Sequence, residues 1–128
     1  MTDYQQPNEP CGIRLMRLID TRLLEIVHKE HSNEKHIHLY GIGGYWVAFE
    51  QSAYLLYRIS SKSTVSVVKH AADPFPVVMA SIPDEELQAY AKHHILKRDE
   101  ADYKELIAPK VPAEQYQTWH RHEVLELM

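Results

Sequence analysis

A single cysteine, Cys11, occurs among the 128 residues, so the chain has no means of forming an internal disulfide. This lack fits a protein that works in a reducing compartment. Long apolar runs are missing as well, because none approaches the roughly 20 residues that a membrane-spanning helix requires. The polar N-terminal residues lack the basic region and apolar stretch of a signal peptide. We therefore expect a cytoplasmic protein with no membrane partner.

The chain also lacks an excess of positive charge. Its 18 acidic residues outnumber its 14 lysines and arginines, and the net charge is −4 when the histidines are neutral. A strong non-specific nucleic-acid binder normally carries a basic excess, so the composition argues against that class of protein. It leaves room for a local basic face.

The motifs that commonly carry catalysis are absent. The glycines at 41, 43 and 44 are followed neither by the lysine of a phosphate loop nor by the third glycine of a dinucleotide-binding loop. No Gly-x-Ser-x-Gly elbow occurs. The acidic pairs at 85–86 and 99–100 are typical of solvated helix ends, and Cys11 lies in a polar, proline-flanked stretch typical of mobile termini. These absences predict a protein that is not an enzyme and uses no cofactor.

Histidine is abundant, with nine copies, which raises the question of a metal site. Zinc prefers tetrahedral ligand sets with cysteine or carboxylate partners at fixed spacings, and the sequence shows no such pattern. His36 and His38 share one face of a predicted strand, and other pairs stand at 28 and 31, 93 and 94, and 120 and 122. We expect no metal site and interpret the histidines as surface and rim groups that titrate between roughly pH 5 and 8.

The length suits one domain, and 45% hydrophobic residues are enough to bury a core. We assign residues 1–12 to a flexible N-terminus and 13–128 to a single domain. The spacing of apolar residues predicts helices at 13–30, 49–59, 83–98 and 112–127. Alternation predicts strands at 36–42, 64–69 and 77–81 and an edge strand at 103–108, with a turn at 73–76. This order predicts an α+β domain with a mixed β-sheet flanked by helices.

Residues 39–53 are the most informative stretch. An apolar strand leads into Gly43-Gly44, two aromatic residues follow, and a helical pattern begins directly. Without gaps, this stretch resembles the N-terminal mismatch-recognition domain of the DNA mismatch-repair protein MutS. That domain has a strand, a Gly-Asp turn, Phe-Tyr-Glu, a further aromatic, two acidic residues and Ala. The matching positions are Gly43, Gly44 (for Asp), Tyr45 (for Phe), Trp46 (for Tyr), Phe49 and Ala53.

A second segment extends the resemblance. Residues 78–83 read Val-Met-Ala-Ser-Ile-Pro and are followed by Leu87 and Tyr90. This is similar to the family's Pro-Met-Ala-Gly-Val-Pro segment and to its following helix with a Tyr-Leu pair. The similarity covers roughly residues 13–97.

The resemblance implies a MutS N-terminal domain-like fold and a small, non-enzymatic DNA-binding module. In the family, the Phe wedges into the duplex at a mismatch and the Glu hydrogen-bonds the mispaired base. Tyr45 takes the wedge position here, where stacking on a base is physically sensible. Val47 stands at the Glu position and has no polar side-chain atom, which implies altered specificity. The chain is too short to hold the family's clamp, lever and ATPase domains, so the resemblance implies a recognition module that stands alone.

The candidate DNA-contacting residues form two groups. Gly44, Tyr45 and Trp46 lie at the turn, and Arg58, Lys62 and Lys69 are candidates for a basic rim beside it, with duplex DNA as the partner. Plain packing at a strand–helix junction is the other explanation for the aromatics, and surface solubility for the basic residues. The alternative function is a protein–protein interaction module of the same fold that no longer binds DNA. Its partner would be another protein or a second copy in a homo-oligomer.

Overall fold

The computed structural model describes residues 10–70, 73–92 and 96–127. Its four helices are α1 (Cys11–Glu30), α2 (Glu50–Ile59), α3 (Asp84–Ala91) and α4 (Ala113–Leu127). Its six strands are β1 (His36–Gly41), β2 (Tyr45–Phe49), β3 (Thr64–His70), β4 (Asp73–Pro83), β5 (Leu96–Asp99) and β6 (Tyr103–Ile107). Within the described ranges, no helix has the length and apolar character needed to cross a membrane.

The strands form one sheet in the order β3-β4-β2-β1-β6-β5, and every neighbouring pair is antiparallel. The predicted α+β class is confirmed, whereas the predicted mixed sheet is wrong. Strands β2 and β3 run in the same direction, and helix α2 connects them in the manner of a crossover between parallel strands. Because the chain turns back from β3 into β4, β4 lies between these two strands and is antiparallel to both.

One face of the sheet packs against α1. Leu23 and Ile26 of this helix meet Val47 and Phe49 of β2, and all four side chains are almost completely buried. The opposite face packs against α2, α3 and α4. The large residues of this second core are Ile37, Leu39, Trp46, Tyr54, Leu55, Leu56, Ile82, Leu87, Leu106 and Trp119. Successive side chains along a strand point to opposite faces and so pack into one core or the other. The sheet is therefore covered on both faces.

Residues 73–76, predicted as a turn, are the beginning of β4, and Asp73 pairs with His70 of β3. Prolines at 74 and 76 are tolerated there because the neighbouring strand has already ended. Strand β2 stops at Phe49, which pairs with Met79. At these two positions β2 no longer runs beside β4. An N–H group there would have no strand partner, so its absence in proline costs no hydrogen bond of the sheet.

The third helix is shorter than predicted. It ends at Ala91, and Leu96–Asp99 forms β5, so Lys97 and Arg98 belong to a strand and not to a helix end. Pairing of Leu96 with Leu106 shows that the sheet overrides the helical pattern. Residues 93–95 of the predicted helix lie outside the described residues.

The remaining differences concern the two ends of the chain. Strand β6 forms where an edge strand was predicted, but it lies inside the sheet, between β1 and β5. Of the segment predicted to be flexible, Cys11 and Gly12 belong to α1, and residues 1–9 lie outside the described residues. The C-terminal helix is confirmed, with Trp119 buried on its inner side.

Candidate nucleic-acid interface

Ile42, Gly43 and Gly44 connect strands β1 and β2, with the two glycines at the tip of the turn. The Ile42 N–H donates to the Tyr45 carbonyl at 3.0 Å, which closes a tight hairpin. Gly43 has φ of +113°, a conformation that a residue with a Cβ avoids. Positive φ at the first turn position only is the pattern of a type II′ hairpin turn. The segment after the glycines is therefore the second strand of a hairpin.

Asp84, the first residue of α3, holds this turn in place. Its N–H donates to the Gly44 carbonyl at 2.9 Å, and its Oδ1 accepts the Trp46 indole N–H at 2.7 Å. Trp46 is 5% exposed and packs over Gly41, where an added Cβ would lie 3.3 Å from the indole ring. The structure thus uses Trp46 as an anchor that fixes the turn from the inside.

Tyr45 has the opposite environment. Its side chain is 44% exposed at the exit of the turn. By strand alternation it lies on the same face of the sheet as Val47 and Phe49, which is the face covered by α1. Val47 is completely buried in that core, so its side chain has no access to solvent.

Arg14 and Arg17 lie beside the turn because α1 begins there. One guanidinium nitrogen of Arg14 is 3.6 Å from the point where Gly43 would carry a Cβ. No acidic residue occurs between Cys11 and Ile19, so this half of the helix is positively charged. We call Arg14, Arg17, Gly43, Gly44 and Tyr45 the turn surface.

A cleft of about 220 Å³ continues this surface along α1 and is lined by Arg14, Arg17 and Arg22, among others. Arg22 is engaged, since its Nε donates to a Glu25 carboxylate oxygen at 2.9 Å. The hydrogen bond that Arg22 donates to the Glu25 carboxylate raises the pKa of Arg22. Asp102 is the acidic residue of the cleft lining. The cleft is therefore rich in guanidinium groups, which bind phosphate with directed hydrogen bonds.

The basic residues proposed from the sequence lie elsewhere. Arg58 donates to Gln115 at 3.0 Å and so belongs to the α2–α4 layer, on the opposite face from α1. Lys69 is near the end of β3, while Tyr45 pairs with Pro83 at the other end of the sheet. Lys62 precedes β3 at the same end of the sheet as the turn, with β4 between β3 and β2.

Of the six candidate residues, the structure therefore brings together Gly44, Tyr45 and Trp46 at the turn. The sequence reasoning missed Arg14 and Arg17, which lie within the predicted helix at 13–30. Their spacing of three residues without an intervening acid was the available signal. Their position beside the turn depends on how α1 packs across the sheet, which local sequence does not encode.

A buried polar network, also missed, links the end of α1 to the start of α2. Glu30 is completely buried, and its carboxylate accepts the Ser52 N–H at 2.8 Å, the Ser52 hydroxyl at 2.7 Å and the Asn33 amide at 3.0 Å. Burial raises the pKa of Glu30 to about 7 and outweighs the hydrogen bonds, which act in the opposite direction.

A second polar cluster lies between α1 and the β1–β6 pair. The Tyr103 hydroxyl donates to Glu105 at 2.8 Å, accepts from Lys29 at 3.0 Å and lies 2.8 Å from Nδ1 of His38. Because the phenol proton is given to Glu105, His38 must donate from Nδ1. Burial, followed by the charge of Lys29, lowers the pKa of His38 to about 4. The prediction of a rim histidine that titrates between pH 5 and 8 is therefore wrong for His38.

The histidines that the structure describes do not assemble into a metal site. In the part of the chain that the structure describes, no group of three or more His, Cys, Asp or Glu side chains is placed to hold a metal ion. His93 and His94 lie outside that part. Cys11 is exposed at the start of α1, beside Gly43.

No protein-family model matches the sequence, and no curated protein and no solved structure matches the chain. The geometry of the turn surface is therefore the basis for the functional inference.

The turn offers a matched pair of glycine variants. We expect Gly43→Ala to lower the free energy of unfolding by about 1–3 kcal/mol, because alanine is strained at positive φ. Gly44→Ala should change it by less than about 0.5 kcal/mol, because Gly44 has open space around its Cβ position. Urea unfolding of both variants measures the difference. Equal losses would mean that the turn does not hold Gly43 in the observed conformation.

Proposed function

We propose that this protein is a small, non-enzymatic DNA-binding module that resembles the MutS recognition domain and has altered specificity. The turn surface is its contact with the duplex. The observation that carries the proposal is the exposed ring of Tyr45 at a fixed turn, next to the arginine-rich half of α1.

The two kinds of group have complementary tasks. Arg14 and Arg17 contact phosphates, which supplies affinity that falls steeply as salt increases. Tyr45 stacks on or between bases, an interaction worth about 1–3 kcal/mol per base. The hydrogen bonds from Asp84 and to the Tyr45 carbonyl keep the turn in one conformation, so little ordering is needed on binding.

Val47 argues for altered specificity. A buried valine neither donates nor accepts a hydrogen bond, so the module does not read a mispaired base through this position. We expect it to prefer duplexes that are easily unstacked, at mismatches of any type, over perfectly paired ones. The acidic net charge of −4 limits binding elsewhere on the surface.

Fluorescence anisotropy of labelled duplexes, matched and mismatched, at low and moderate salt tests the proposal. We expect salt-sensitive binding by the wild type and a loss of roughly tenfold or more in affinity for Tyr45→Ala. Tyr57→Ala is a matched control, because Tyr57 has a similar exposure of 47% but lies on α2, away from the turn. It should bind like the wild type.

Charge variants separate the turn surface from the rim proposed from the sequence. Arg14→Gln should weaken binding and flatten its salt dependence, whereas Arg58→Gln and Lys69→Gln should leave both unchanged. No binding at low salt would refute the DNA proposal outright. Equal effects of Tyr45→Ala and Tyr57→Ala on affinity would show that the turn surface is not the site of DNA contact.

A protein-interaction module is the second candidate, favoured by one observation. Ile13, Met16 and Leu24 on the outer side of α1 are 53–58% exposed. Exposed apolar side chains along one helix are typical of a surface that docks on a protein. Association of this kind would persist at moderate salt, in contrast to phosphate binding.

A further inference from the structure

The two edges of the sheet differ in how they are protected against pairing with another strand. Strand β5 at one edge has four residues, and three of them are charged. Its Lys97 and Asp99 form ion pairs with Glu105 and Lys104 of β6. Short length and charge are the usual means of preventing edge-to-edge association.

Strand β3 at the other edge is longer, and its charged residue Lys69 lies near its end. Its first five residues, Thr-Val-Ser-Val-Val, are uncharged, and four of them are β-branched. No proline interrupts the strand, and the register shift lies at its end, between Val68 and His70. Within the described residues β3 pairs only with β4, so its outer side presents main-chain donors and acceptors.

Apolar side chains accumulate next to the same edge. Helix α4 packs over β3 and β4, and its C-terminal part carries Leu125 and Leu127, which are 75% and 48% exposed. Phe75 of β4 is 74% exposed and lines one cleft with Val124 and Leu125. An unprotected edge and an exposed apolar cluster thus occur together on one side of the molecule.

We propose that this side is the interface of a homodimer in which the β3 strands of two copies pair antiparallel. With a twofold axis perpendicular to the sheet, the two sheets join into one continuous sheet. The faces covered by α1 in the two copies then lie on the same side. Helix α4 then lies beside α4 of the second copy, where Leu125, Leu127 and Phe75 become buried. The same twofold arrangement therefore covers both the open edge of β3 and the exposed apolar side chains of α4.

The sequence of β3 suits pairing with itself. A register centred on Ser66 places Thr64 opposite Val68 of the second copy and Val65 opposite Val67. Every cross-strand pair in this segment is then β-branched or small, with no like charges facing each other. Lys69 falls beyond the segment, opposite Ser63 of the second copy. Because β3 is complementary to itself in this register, the partner at this edge is a second copy of the chain.

Sedimentation velocity and light scattering over a concentration series test the dimer. The wild type should approach twice the chain mass of 15.0 kDa. Ser66→Asp and Ser66→Lys should each raise the dimer dissociation constant about tenfold or more, because two like charges meet at the axis. An equimolar mixture of the two variants should restore the dimer, since opposite charges then meet.

Ser61→Asp in the exposed turn before β3 is the matched control and should dimerise like the wild type. Should Ser66→Asp fail to fold by circular dichroism, Leu125→Glu on the exposed side of α4 provides a second test and should also weaken the dimer. A monomeric wild type at its highest soluble concentration would overturn the proposal. So would a dimer that tolerates Ser66→Asp, or a mixture that stays monomeric. Ser66 and Leu125 are not part of the turn surface, so this test is separate from that of DNA binding.

Discussion

In the Glu30→Gln variant, the free energy of unfolding is expected to increase by about 3 kcal/mol as the pH rises from 4 to 6.5. The gain comes from His38, whose pKa is lowered from 6.5 to about 4. Below pH 6.5 the unfolded chain binds a proton at this histidine and the folded protein does not, so acid favours unfolding. The wild type hides this effect because Glu30 works in the opposite direction.

The Glu30 contribution has the opposite sign because its pKa is raised, from 4.5 to about 7. Between these values the folded protein holds a proton that the unfolded chain has lost, so stability falls as the pH rises. The two windows overlap between pH 4.5 and 6.5, and the two contributions nearly cancel there. The wild type should therefore show an almost flat dependence across this range.

The second large effect is expected for His38→Asn. This variant keeps an amide donor toward the Tyr103 hydroxyl but does not titrate. Without the histidine, only the Glu30 contribution remains. Stability should then fall by about 3 kcal/mol as the pH rises from 4.5 to 7.

Urea unfolding followed by tryptophan fluorescence at several pH values between 4 and 8 measures these slopes. The double variant Glu30→Gln/His38→Asn should return to a flat profile. Glu34→Gln is a matched control, because Glu34 is an exposed carboxylate close to Glu30 in sequence, and it should keep the wild-type profile. Parallel profiles for the wild type and both single variants would show that neither buried group titrates as described.

Local sequence accounts for much of the fold. The helices α1, α2 and α4 and the strands β1 and β3 follow the periodicity of their apolar residues, because each has one face turned to a core. The pattern fails at Leu96–Asp99, where a continuous helical spacing is overridden by pairing with β6. It also fails for the strand order, which depends on where β4 inserts and not on any short segment.

The candidate site was only partly predictable for the same reason. Gly43 and Tyr45 were identified because a glycine pair followed by aromatics is a local signal. Whether Trp46 is exposed depends on Asp84, which is 38 residues away in sequence. Glu30 and His38 looked like ordinary polar residues on a helix and a strand, and only the packed structure shows that both are buried.

The link between Asp84 and the turn has a consequence for the heat of binding. A recognition loop that orders only in the complex adds a large negative heat-capacity change and slows association. Here the Gly44 carbonyl, the Trp46 indole and the start of α3 are already joined in the free protein. Calorimetry of any complex formed at this turn should therefore show a small heat-capacity change, and its association should be governed by diffusion and charge.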